Sequence, residues 1–212
     1  MGVPNPRSPA AVAAYVLSII EAAADTPYIG EPMSQTEHSL QCGFLATSSS
    51  PPVDEQTQVA ALLHDIGQFT PVADLREASR AGFTGVQNMG SSASESVGRH
   101  GHEVIGARFL LALGFPEKVA RLVESHVAAK RYLCAVDPGY HATLSDASKK
   151  SLVYQGGPMQ GAEKEAFESS PWCEDMCRLR KWDDAAKIVD LEVPQLPSWK
   201  PILERVLQEN AV

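Results

Sequence analysis

The sequence has no apolar run long enough to cross a bilayer, no excess of basic residues and no disulfide framework. Each absence removes a class of protein. A transmembrane helix needs roughly 20 consecutive apolar residues, and the apolar stretch Ala10 to Ile20 falls short of that. Lys and Arg number 18 against 26 Asp and Glu, a formal net charge of −8. Nucleic-acid backbones demand clustered cations, so nucleic acid is not the expected partner, although one or two basic residues still suffice for a small anion. The cysteines are Cys42, Cys134, Cys173 and Cys177, of which only the last two are close, as C-x-x-x-C. No zinc site closes on that spacing, and free thiols in a reducing compartment, the cytoplasm, are the expectation. No P-loop and no G-x-S-x-G is present, so nucleotide cradling and serine-hydrolase chemistry lack support. Neither a heptad nor an internal repeat is visible, and nothing in the pattern sets an oligomeric state.

The N-terminus needs separate treatment, because Arg7 before an apolar stretch imitates a signal peptide. Ser8 and Pro9 instead make a good helix start, as N-cap and first helical residue. Val12, Val16, Ile19, Ile20 and Ala23 follow at helical spacing, which predicts a core helix over about 9–24. Met1-Gly2 is followed by Pro6 rather than Ser or Thr, so the myristoylation pattern fails.

What is present is a succession of helical patterns broken by Pro, Gly and Ser. Ser34-Gln35-Thr36-Glu37 reads as a capping box opening a helix to about Ala46. A helix over about 54–66 puts Val59, Leu62, Leu63 and Ile66 on one face, with Gly67 placed to end it. The Gly/Ser-rich segment 81–101 reads as a loop or lid. Helices follow at about 102–113, stopped by Gly114, and from Pro116 to about Leu133. Further helices fit at about 144–153, 161–168 and 172–190, and a short C-terminal one at about 198–210. No strand alternation competes, so the fold class expected is all-α, a single bundle-like domain.

Polar residues fall on the inward faces of these helices. His126 follows Val119, Leu122 and Val123, His102 shares a face with Ile105 and Phe109, and His38 with Cys42 and Leu45. Asp65 lies three residues after Leu62, with His64 just before it, and Asp183 shares a face with Met176, Leu179 and Ala186. A lone inward His is ordinarily a hydrogen-bonded core residue, and a lone Asp a cap or ion-pair partner. Buried charge is nevertheless costly unless paired or metal-bound, and one shared metal centre explains all six together. Imidazole and carboxylate suit first-row transition metals. Six ligands are too many for one zinc and about right for two bridged metals. His100 and His141 read as bystanders, and Asp184 is turned about 100° from Asp183 on a helix.

The pair His64-Asp65 in Ala61-Leu62-Leu63-His64-Asp65-Ile66-Gly67, with His38 upstream and Asp183 downstream, resembles the HD-domain superfamily. Extended by His102 and His126, it is similar to the dinuclear branch, which holds two-metal phosphohydrolases and the mixed-valent diiron oxygenases related to myo-inositol oxygenase. Tyr28-Ile29-Gly30-Glu31, Lys130, Ser148, Ser151, Gln155-Gly156-Gly157-Pro158-Met159 and the run Arg180 to Lys187 add a further resemblance over about 28–187. It is to the oxygenases that split the carbon–phosphorus bond of 2-amino-1-hydroxyethylphosphonate into glycine and phosphate.

That resemblance implies a single HD domain over 1–212 with its metal core at about 28–190. It implies two irons in an Fe(II)/Fe(III) state and O₂ as co-substrate. His38, His64, Asp65 and Asp183 would hold one iron and Asp65, His102 and His126 the other, with Asp65 bridging. Lys130, Ser148, Ser151 and Gln68 would face the phosphonate, Glu31 an ammonium or methylated ammonium end. Tyr28 would occupy an iron position until substrate displaces it. The expected substrate is a small 1-hydroxyphosphonate bearing an amino or trimethylammonio group. One departure stands out: aminophosphonate enzymes often carry His after H-D-x-G, and this chain has Gln68. A two-metal phosphohydrolase is the alternative reading, and a silent HD module the third.

Overall fold

The computed structural model describes residues 2–5, 7–79, 87–89 and 98–210. Among these residues the chain is all-α, with no strand. Two isolated antiparallel bridges, Pro27 with Ser34 and Asn88 with Arg99, close loops. Most of the 81–101 segment expected to form a loop or lid lies outside the described residues.

The helices run in order α1 (Pro9–Glu21), α2 (Gln35–Thr47), α3 (Glu55–Leu63), α4 (Ile66–Phe69), α5 (Val72–Ser79) and α6 (His102–Leu113). They continue with α7 (Glu117–Val136), α8 (Tyr140–Thr143), α9 (Asp146–Tyr154), α10 (Gly161–Glu168), α11 (Cys173–Ala185) and α12 (Lys200–Glu209), the last entered through a 3₁₀ turn, Leu196–Trp199. No helix among the described residues is long and apolar enough to cross a membrane. The caps expected from sequence form as local chemistry dictates. Ser8 accepts from the Ala11 N–H ahead of Pro9. The Ser34–Glu37 capping box makes both of its bonds. Gly114 ends α6 at φ 94°, a conformation costly to any residue with a Cβ.

The scaffold consists of α2 against α3, α6 against α7, and α11 laid across α7 and α2, with α1 and α12 packed against each other. Helix α7 shows how one stripe serves two ends. Val119, Leu122 and Val123 are fully buried in the main core, each adding about 1.5–3 kcal/mol. The same stripe, continued by one and two turns, carries His126 and Lys130, both almost wholly buried. The core therefore fixes the rotation of α7, and that rotation aims the two polar residues.

Two helix ends that shape the site differ from the sequence pattern. Helix α3 stops at Leu63, and Asp65 takes φ −98°, ψ 8° before α4 begins. Adjacent residues on an unbroken helix diverge by about 100°, and the break is what lets His64 and Asp65 face the same way. Gly67 is consequently not a terminator but sits inside α4. A Cβ there would overlap the His102 carbonyl oxygen and come within 2.7 Å of the Gly106 nitrogen. Helix α11 ends at Ala185 rather than near 190, because Ala186 leaves helical geometry and its carbonyl accepts a bond from His38 Nδ1–H. Ile188 is then held at both N–H and C=O by the Gln41 side chain. Helix α5 and the short α8 had no counterpart in the sequence pattern.

Candidate metal centre and its pocket

Five elements converge on one buried point. Helix α2 delivers His38, the α3–α4 break His64 and Asp65, the first residue of α6 His102, the middle of α7 His126, and the end of α11 Asp183. All six are buried.

Each imidazole is locked by a backbone carbonyl. Nδ1 lies 2.9 Å from Ala186 O in His38, 2.9 Å from Ala61 O in His64, 3.0 Å from Arg99 O in His102 and 2.7 Å from Val123 O in His126. A carbonyl only accepts, so every Nδ1 carries the proton and every Nε2 of a neutral ring turns a lone pair inward. These Nε2 atoms meet in two facing pairs, His38 with His64 at 3.1 Å and His102 with His126 at 3.0 Å. Two lone pairs at that distance repel unless a proton or metal cation lies between them.

Asp65 links the pairs. Its Oδ1 lies 3.3 Å from His102 Nε2 and 3.6 Å from His126 Nε2, and its Oδ2 lies 3.5 Å from His64 Nε2 and 3.9 Å from His38 Nε2. The ligand-type atoms gather as two triads, His38–His64–Asp65 and Asp65–His102–His126, which share the carboxylate. Asp183 joins the first triad's side, with Oδ1 3.3 Å from His38 Nε2 and 3.8 Å from His64 Nε2. This donor set, neutral nitrogens plus one shared and one terminal carboxylate, fits two first-row metal ions.

The electrostatics show a centre that attracts positive charge: burial works against the charged imidazoles of His64 and His102, yet the Asp65 carboxylate raises both above the ordinary histidine value. Burial works against the charged form of Asp65, yet His64 and His102 hold its carboxyl well below the usual range. Asp183 is held down likewise, burial being outweighed by Arg180 and the imidazoles. Burial and the neighbouring His102 push His126 down to about 3, so that ring keeps its Nε2 lone pair at neutral pH.

Arg180, quoted in the sequence run but given no role there, proves central. It is only 4% exposed. Its Nη1 donates to Asp183 Oδ2 at 2.7 Å, while its other nitrogens donate to Asp184, which also accepts from the Tyr140 hydroxyl. Asp184 thus faces away from the histidines and clamps the arginine. The signal was available as acids three and four residues after an arginine on one helix. His100 and His141 are exposed, as expected of bystanders.

A small cavity of about 70 Å³ opens against the centre. Tyr28, Glu31, Gln68, Lys130, Ser148 and Ser151 all line it, as do Asp65, His102, His126 and Asp183. Tyr28 stacks on His38 with ring centroids 3.8 Å apart, and its hydroxyl donates to Asp183 Oδ1 at 3.4 Å. Burial and then the Asp183 charge push its pKa well above the ordinary phenol value. Lys130 donates to Ser151 Oγ at 2.7 Å, and burial pushes its pKa down to about 7. Ser151 in turn donates to the Ser148 carbonyl, so its hydroxyl supports the lysine. Ser148 Oγ accepts from Ser145. Glu31 lies 3.9 Å from Lys187. Gln35, Gln155 and Lys187 also line the cavity and had no role assigned from sequence. Gln155 lay in the quoted run but only as part of a turn.

An adjacent His-Asp pair at a helix break, completed by inward ligands from neighbouring helices, defines a metal-binding helical domain of the HD type. Residues 36–152 match the HD-domain model, and the chain belongs to that family. Among its relatives is the [1-hydroxy-2-(trimethylamino)ethyl]phosphonate dioxygenase (glycine-betaine-forming) of Leisingera caerulea. It is 35% identical over 196 residues, covering 92% of this chain and 90% of that protein. A hydroxymethylphosphonate dioxygenase of Gimesia maris is 37% identical over 183 residues, 86% of this chain and 82% of its own. An uncharacterized protein of Acanthamoeba polyphaga mimivirus is 30% identical over 197 residues, 92% of this chain and 81% of its own.

Proposed function

We propose that this chain is an O₂-dependent oxygenase cleaving the carbon–phosphorus bond of a small 1-hydroxyphosphonate. The substrate carries an amino or trimethylammonio group at C2, and the products are a glycine- or betaine-type carboxylate and phosphate. The observation that carries the proposal is the shared-carboxylate pair of histidine sites opening onto a lysine-bearing cavity. It is supported by two relatives, identical at 35% and 37%, that are named as phosphonate dioxygenases. His38, His64, Asp65 and Asp183 would hold one iron and Asp65, His102 and His126 the other. As an Fe(II)/Fe(III) pair they would supply O₂ activation and oxidation at C1.

The chain's own residues do the rest. The Lys130 ammonium, braced by Ser151, is a point charge for phosphonate oxygens, and the Ser148 hydroxyl proton is placed to join it. Lys130 charges readily once an anion arrives, because its pKa sits near 7 in the free site. Glu31 gives the cavity a carboxylate for a cationic head group, with Lys187 as its partner when no substrate is bound. Tyr28, on His38 and Asp183, covers the first triad and must move for a substrate to reach it.

Metal analysis with Mössbauer and EPR spectroscopy on aerobically purified protein tests this. The expected result is iron with a coupled mixed-valent signal. Retained zinc, manganese or magnesium, with phosphatase activity and no O₂ uptake, would replace this reading with a phosphohydrolase.

A further inference from the structure

The second triad, Asp65–His102–His126, depends on two elements that meet edge to edge: α4, which follows Asp65 directly, and α6, which begins at His102. Helix α6 starts from Gly101 in left-handed geometry, and no side chain caps it. The residue that ties the two elements is Arg99. Its Nη1 donates to two carbonyls at the end of α4, Gly67 O at 3.1 Å and Thr70 O at 2.7 Å. Carbonyls at a helix C-terminus lack partners within the helix, so this guanidinium occupies an open position. The Arg99 backbone N–H is received by Gln68 Oε1, also on α4, at 2.7 Å. The Arg99 carbonyl in turn accepts from His102 Nδ1–H at 3.0 Å, where Glu103 Oε2 also lies within 3.5 Å. The elements beneath approach so closely that Gly67 has no room for a side chain.

We propose that Arg99, seated by Gln68, is a positioning residue for the second metal position. It fixes the distance from Asp65 to His102 and holds the His102 ring with Nε2 inward. Gln68 therefore serves this strap through its carbonyl oxygen, in addition to bordering the cavity. The first triad does not depend on the strap, since His38 and His64 are locked by Ala186 and Ala61. The inference rests on the two-metal reading above.

Iron-loaded holoprotein is dialysed against graded chelator, and iron per chain, the coupled EPR signal and helical circular dichroism are read together. For Arg99→Ala the expected result is an unchanged helical signal and about one tightly held iron per chain rather than about two. Its second-site affinity should be about 10- to 100-fold weaker and the coupled signal lost. Arg99→Lys should restore both, because both carbonyl bonds leave a single nitrogen that an ammonium can replace. Gln68→Met should show the same selective loss in milder form. Two irons held as firmly in Arg99→Ala as in the parent would overturn the inference alone, as would parallel loss of both irons. Should Arg99→Ala fail to fold, Gln68→Met decides, and parental iron retention there overturns it. A parent protein that never takes up two metals sinks the two-metal reading and this inference with it.

Discussion

His102 and His126 face each other through their Nε2 atoms at 3.0 Å, each ring fixed by a carbonyl on its opposite nitrogen. That arrangement is unfavourable when both rings are neutral and nothing lies between them, and it becomes favourable when a metal does. Stripping the metals should therefore cost stability. At a hundredfold excess of metal over Kd a bound ion adds about 2.7 kcal/mol, which for a chain of this size is roughly 5–10 °C in melting temperature. Differential scanning calorimetry of chelated and reloaded protein checks this, and identical melting would contradict it.

Among the described residues, Asp65 is the one acid within reach of all four imidazoles. Asp65→Ala should lose both metals and all turnover. Asp183→Ala should weaken chiefly the metal at His38 and His64. Metal content per chain, measured by mass spectrometry, separates the two, and equal content in both variants would refute the bridging role.

Removing Arg180 would take the guanidinium from the buried Asp183 and the half-buried Asp184. Breaking a buried ion pair from one side costs about 3–5 kcal/mol. Arg180→Met should show that loss in urea unfolding, and a change below about 1 kcal/mol would mean the network contributes little.

Lys130 gives a pH signature. Its folded pKa of about 7 means that it is charged below that value and increasingly neutral above it. Affinity for the phosphonate should thus be strongest below about pH 7, and KM should rise as pH climbs beyond it. Lys130→Arg keeps its charge throughout and should flatten that rise. Lys130→Ala should raise KM about 10- to 100-fold, the worth of a charged hydrogen bond, with iron content unchanged. A KM insensitive to either substitution would remove Lys130 from the anion site.

The sequence carried the helices wherever a local cause sets them: the Ser8–Pro9 start, the Ser34–Glu37 box, the Gly114 stop. The inward faces of α2, α6, α7 and α11 were equally legible, since apolar spacing fixes helix rotation and the histidines ride on it. What stayed hidden has distant causes. The residues 60–63, Ala-Ala-Leu-Leu, favour helix continuing past His64, and the break exists because both ligands must turn to the same centre. The end of α11 is set by His38, 148 residues away. Gly67 looked like a terminator, and only the approach of α6 shows why no side chain fits. Arg180 and Arg99 act through partners whose proximity no spacing rule reveals in full.

In the proposed function, O₂ consumption and carbon–phosphorus cleavage are one reaction at this centre. Converting a 1-hydroxyphosphonate and O₂ into a carboxylate and phosphate balances with no other reductant. Simultaneous measurement of O₂ uptake and phosphate release, over 1-hydroxyphosphonates with different C2 groups and a set of polyols, tests it most directly. Equal amounts of O₂ consumed and phosphate released are expected with at least one phosphonate. Phosphate released from phosphate esters without O₂ uptake, and no reaction with any phosphonate, would contradict it.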